Sequence, residues 1–168
     1  MGADIHIYAE RKLLDGTWAM CKSFEGQLSS QFDSRVVSAL GRKTLFTRAR
    51  MRNYNFFRAL AGVRGEGPDH KGFPNDASPL VQEEFDRWGT DAHTPSWYSA
   101  KEFVPIFMEH WMSDEETAEL VSNRLSSGSI SSEIVFNVLE MYLGVDVPYD
   151  DDDNPSVDTI RFVFWFDN

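Results

Sequence analysis

Residues 159–168, TIRFVFWFDN, decide how this chain must fold. Side chains alternate along a strand, so Ile160, Phe162, Phe164 and Phe166 share one side while Arg161, Val163 and Trp165 share the other. Both sides are largely apolar. That pattern predicts a strand covered on both faces and therefore central in its sheet. A central strand needs neighbours, and the start of the chain supplies one. There Ala3, Ile5, Ile7 and Ala9 alternate with Asp4, His6, Tyr8 and Glu10, the period of a strand with one buried face. Residues 13–24, LLDGTWAMCKSF, continue as a hairpin, with Asp15-Gly16 as the turn and Trp18, Met20 and Lys22 on the return strand.

The middle of the chain reads as helix. In NYNFFRALAGVRG (53–65), Phe56, Phe57, Leu60, Ala61 and Val63 have helical spacing and Gly65 is the expected stop. AKEFVPIFMEHWM (100–112) is helical, with Pro105 expected in its first turn. SDEETAELVSNRLSSG (113–128) opens on Ser113 and three acidic residues, a capped start. SSEIVFNVLEMYLG (131–144) repeats the pattern and ends at Gly144. Residues 65–80, GEGPDHKGFPNDASPL, and 149–156, YDDDDNPS, lack any period and read as loops, the second a solvated acidic one. The expected fold is α+β and forms a single domain over 1–168. Its mainly antiparallel sheet contains the N- and C-terminal strands and packs with three or four helices from the middle.

Cys21 is the only cysteine, which excludes an intramolecular disulfide and a Cys-based zinc site and fits a reducing cytoplasm. No apolar run reaches the length of a membrane span, and Asp4 and His6 stand where a signal peptide would be basic and then apolar. The expectation is a soluble, cytoplasmic protein with no membrane partner. Net charge is −11, unevenly placed: through Arg64 there are 11 Lys/Arg against 5 Asp/Glu, and beyond it 5 against 22. Residues 35–64 carry 8 basic residues and no acidic one. Such a segment attracts an anion locally, or pairs with the chain's own acidic half, while the whole repels duplex DNA. Phosphate-binding loops, Gly-x-Gly-x-x-Gly and Gly-x-Ser-x-Gly are all missing.

Chemistry is suggested by a repeated Asp-x-His: Asp4 and His6 at the start, Asp91 and His93 within WGTDAHTPSW (88–97). Residues two apart on a strand project to one face, so Asp4, His6 and Tyr8 are expected together on an exposed or cleft-facing surface. The second pair lies in a segment read as a turn-rich loop, with Thr94 and Ser96, between Trp88 and Trp97. Tryptophans anchor such a loop or stack a flat ligand. Arg52, Asn53 and Tyr54 open a helix, where free N–H groups favour an anion, and Arg64 stands at its end. The ligand-binding set is therefore Asp4, His6, Tyr8, Arg52, Asn53, Tyr54, Arg64, Asp91, His93, Ser96 and Trp97. An alternative makes Asp4, His6, Asp91 and His93 the ligands of a divalent metal ion. Cys21 and His110 read as packed side chains, and His70 as a loop residue.

MGADIH, RNYNFFRALAGVR, GFPNDASPLV, DAHTPSW and FVFWFDN resemble, in that order, a family of small, mostly uncharacterised proteins of bacteriophage and prophage genomes. The matching blocks cover about half of the chain. Lys71 stands where that pattern has an arginine, and the acidic stretch 113–153 lies largely outside the blocks. The resemblance implies a phage-encoded protein acting in the host cytoplasm. It carries over Asp4, His6, Arg52, Asn53, Tyr54, Arg64, Pro74, Asp76, Asp91, His93 and Trp97. Three functional expectations follow. The leading one is an accessory protein that binds a small anionic, nucleotide-like ligand and so sequesters a host signal. The second is a metal-assisted hydrolase in which the two Asp-x-His pairs hold the ion and activate water. The third is an acidic interaction protein that occupies a nucleic-acid-binding surface of a host protein.

Overall fold

The computed structural model describes residues 2–21, 53–112, 114–121 and 130–167. Strand β4 (Ile160–Asp167) runs between β1 (Asp4–Lys12) and β3 (His93–Ser99), and β2 (Trp18–Met20) lies outside β1. The sheet is four-stranded and antiparallel throughout, in the order β2-β1-β4-β3. Every residue of β4 is buried, as its two apolar sides require. Asp15 and Gly16 (φ +85°) make the β1–β2 turn, and Asp15 accepts hydrogen bonds from both the N–H and the hydroxyl of Thr17.

Register sorts the side chains. Ile5 faces Phe166, Ile7 faces Phe164 and Ala9 faces Phe162 on one side of the sheet. That helical face is covered by α1 (Tyr54–Ala61), α3 (Ala100–His110) and α5 (Ser132–Asn137). Asp4 faces Asp167, His6 faces Trp165, Tyr8 faces Val163 and Glu10 faces Arg161 on the other side. This tryptophan face is covered by α2 (Pro79–Trp88) and by Phe73 from the preceding loop. A further helix, α4 (Asp114–Val121), carries three acids in its first turn, where the helix dipole favours them. Ser113 and Lys22 lie outside the described residues.

Local signals explain most boundaries. The Asn53 side chain accepts the Phe56 N–H and caps α1, which stops at Gly62 in the left-handed region (φ +67°) rather than at Gly65. Gly67 returns beneath that end: a Cβ there would lie 2.3 Å from the Arg58 carbonyl oxygen. Ser99 and Glu102 form a capping box on α3. Because that helix starts at Ala100, Pro105 falls in its second turn and not in its first. Helix α5 runs on as a π-helical segment (Val138–Leu143) and ends at Gly144, φ +67°.

Two readings of the sequence need correction. Residues 93–99 are an edge strand, not a loop; a bulge between His93 and Ser96 and the unpaired outer edge accommodate Pro95. Pro79 and Leu80, read as the end of the Gly/Pro-rich loop, instead open α2 (79–88), with Pro79 at its first position. Cys21 is a core residue as expected, and burial pushes its thiol up to about 12. Among the described residues no helix is long and apolar enough to cross a membrane.

Candidate functional site

The sheet divides the candidate residues into two groups. On the tryptophan face His6 is not exposed, as its polarity suggested, but buried at 3% of its full accessibility. Its Nε2 lies 3.1 Å from Asp167 Oδ2. The imidazole sits against Trp88 (centroids 4.1 Å) and stacks on Trp165 (5.9 Å). Tyr8, also buried, stacks on Trp165 at 5.3 Å. Asp4 is half-buried beside Asp167 in the register. The reason for this burial is α2: its last residue, Trp88, closes over a face whose side chains alone look polar.

Further along the same face is a charged cluster that local sequence reading does not show. Arg161 donates from Nε to Glu10 (2.7 Å) and from Nη1 and Nη2 to the side chain and carbonyl of Asp76 (2.7 and 3.2 Å). Glu10 also accepts the Ser78 N–H at 2.6 Å. The guanidinium lies 3.9 Å over Trp18 and 5.8 Å from Trp97, and Trp18 donates to Asp76 at 2.9 Å. Hydrogen bonding from Arg161, more than any other cause, holds the Asp76 carboxyl below the usual carboxylate range. Glu10, Arg161 and Asp76 thus fasten the loop before α2 to the sheet. Pro74 is buried in the same loop, and Trp97 is half-buried beneath Lys71, whose Nζ lies 4.5 Å from its ring. The carried-over Pro74, Asp76 and Trp97 have structural work here.

The helical face holds the second group. His93 pairs in register with Phe166 and stacks on it at 6.0 Å, so its ring and that of His6 occupy opposite sides of the sheet. The two Asp-x-His pairs share one end of the sheet but not one pocket. Asp91 is exposed in a short 3₁₀ turn (Gly89–Asp91). From His93 a run of ring contacts continues through Phe166 to Phe57 (5.3 Å) and from Phe57 to Tyr54 (5.7 Å). Arg64 folds back along α1 and places its guanidinium 4.7 Å from the Tyr54 ring. Asn53, besides its cap, donates to the His110 carbonyl at 2.6 Å, and Ser96 accepts the Lys71 N–H at 3.0 Å, so both have roles within the fold. Arg52 lies outside the described residues.

Two features of the helical-face group are unusual. Arg64 (φ +60°) and Thr94 (φ +51°) are two of only three non-glycine residues in the left-handed region among the described residues. For a β-branched threonine that conformation is costly, and such outliers concentrate at functional sites. Beside it, His93 meets the Thr94 hydroxyl through Nδ1 at 2.9 Å, while its buried Nε2 has no hydrogen-bond partner among the described residues. A buried polar atom left without a partner calls for a physical reason. No three His, Cys, Asp or Glu side chains among the described residues come together as a set able to hold a metal ion. Asp4, His6, Asp91 and His93 therefore do not assemble as one.

Comparison with known proteins adds no family: no family model, curated protein or solved structure matches the chain.

Proposed function

We propose that the protein binds a small, flat, anionic ligand of the nucleotide kind at the helical-face end of the sheet, through His93, Tyr54 and Arg64. The observation that carries this reading is the buried, unpartnered Nε2 of His93 beside the strained Thr94. When the Thr94 hydroxyl donates to Nδ1, Nε2 bears the proton and needs an acceptor, such as a phosphate oxygen or a base carbonyl. Arg64 brings positive charge to an aromatic ring, a combination suited to a phosphate attached to a flat base. The resemblance to phage proteins supports a ligand drawn from the host cell, held rather than consumed. Asp4, His6 and Tyr8 leave the ligand set in this reading and serve the fold.

Calorimetry against mono-, di- and cyclic nucleotides tests the proposal. Arg64→Ala and His93→Ala should each weaken binding by about 1.5–3 kcal/mol, the scale of a hydrogen bond to a charged group. A chelator should change nothing, and the nucleotide should be recovered intact. His6→Ala, on the opposite face, should leave the affinity alone wherever the variant stays folded. No heat from any nucleotide would overturn the reading.

A further inference from the structure

We infer that the outer side of residues 132–155 is a docking surface for a basic protein segment, separate from the His93 site. Helix α5 and its π-helical continuation bury Ile134, Val135, Val138, Leu139 and Leu143 against the core. The opposite side carries Met141, 69% exposed, and the following loop carries Tyr149, 56% exposed. These are two of the five large hydrophobic side chains that stand exposed among the described residues. Tyr149 is held in place: its ring meets the edge of Phe136 at 5.8 Å, and its backbone bridges to Pro155. The helix and the loop thereby form one surface. Glu140 strengthens the union by accepting the Val147 N–H at 3.1 Å.

Charge identifies the occupant. Between Arg124 and Arg161 the sequence has no Lys, Arg or His, and it has eight acids: Glu133, Glu140, Asp146, Asp150, Asp151, Asp152, Asp153 and Asp158. Among the described residues, Asp158 meets Lys101 at 2.8 Å. Exposed apolar side chains on a surface of one charge sign are complementary to a segment in which Lys and Arg alternate with apolar residues. Met141 is a pliable contact for the apolar residues, and the face of Tyr149 suits a guanidinium. A second copy of this chain, whose residues 35–52 are basic in sequence, is the competing occupant.

The experiment titrates the whole protein into two labelled synthetic peptides of equal charge and follows fluorescence anisotropy. In one, Lys and Arg alternate with Leu; in the other, Ser replaces every Leu. The Leu peptide should bind about tenfold more tightly, the scale of truncating well-packed interface residues. Met141→Ser with Tyr149→Ser should erase that preference, and both exposed positions allow the change without unfolding, which thermal melting checks. Asp151→Asn with Asp152→Asn should weaken both peptides and flatten their salt dependence. Equal binding of the two peptides, or binding of neither, overturns the inference. So does a dimer in sedimentation that the Met141/Tyr149 variant dissociates, because the occupant is then a second copy.

Discussion

Replacing Arg161 by Met tests the charged cluster that holds the loop before α2 to the sheet. Arg161 and Glu10 are both withdrawn from solvent, with side chains 4% and 0% exposed, and their atoms meet at 2.7 Å. Removing one partner leaves the other buried and uncompensated, a loss of about 3–5 kcal/mol. The bond to Asp76 adds little, because that carboxylate is 66% exposed and such pairs contribute roughly 0–1 kcal/mol. For a chain of this size the total lowers Tm by roughly 6–24 °C, at about 2–4 °C per kcal/mol. Glu10→Met should cost a similar amount. The double variant removes both charges at once and leaves chiefly the Ser78 N–H without its acceptor, a cost of about 1–3 kcal/mol. It should therefore be more stable than either single variant. Urea unfolding of all four proteins measures this directly. Single-variant losses that simply add in the double, or an Arg161→Met loss under about 1 kcal/mol, would show that the pair behaves as a surface ion pair.

Thr94→Asn should stabilise the protein by about 0.5–1 kcal/mol, since asparagine enters the left-handed region more readily than a β-branched residue; a loss in urea unfolding would mean that Thr94 is not strained. The Asp76 carboxyl is held below its ordinary value by Arg161, so its contribution is complete above the unfolded-state pKa and disappears as pH falls through the folded one. Asp76→Asn should accordingly lower stability at neutral pH and converge with the parent in acid, as a pH series of melts will reveal. The Cys21 thiol, raised to about 12 chiefly by burial, should resist a thiol reagent at pH 8 until denaturant is added. Rapid labelling of the native protein would place Cys21 at the surface.

Legibility followed the range of the contacts. Strand β4 could be read because both its faces are apolar over the whole of residues 160–166, and β1 because its inward residues are small or aliphatic. Segment 93–99 escaped because Pro95 and the bulge interrupt its alternation, both tolerable only at an edge that the sequence does not declare. Helix α2 escaped because only Val81 is buried completely along it, which leaves a weak periodic signal. The candidate site was half legible. Asp4, His6 and Tyr8 do share one side of a strand, as alternation implies, yet polar side chains give no warning of the Trp88 ring that covers His6. His6 and Asp167 are 161 positions apart and Glu10 and Arg161 are 151 apart, so no local pattern could pair them. The strain at Thr94 and the unpartnered His93 nitrogen are properties of geometry alone.

The pairing of β1 with β4 has a consequence for the wiring of the chain. Asp4 lies opposite Asp167, so the beginning of β1 and the end of β4 are adjacent and antiparallel. A tight turn joining those two points, with the chain reopened between β2 and α1, would put the strands in the sequence order β3, β4, β1, β2, each next to its sheet neighbour. The most distant strand pair would become a local hairpin, and the mean sequence separation of sheet contacts would fall. Folding rate rises as such separation shrinks, so a circular permutant made at this seam should reach the same sheet faster than the parent does.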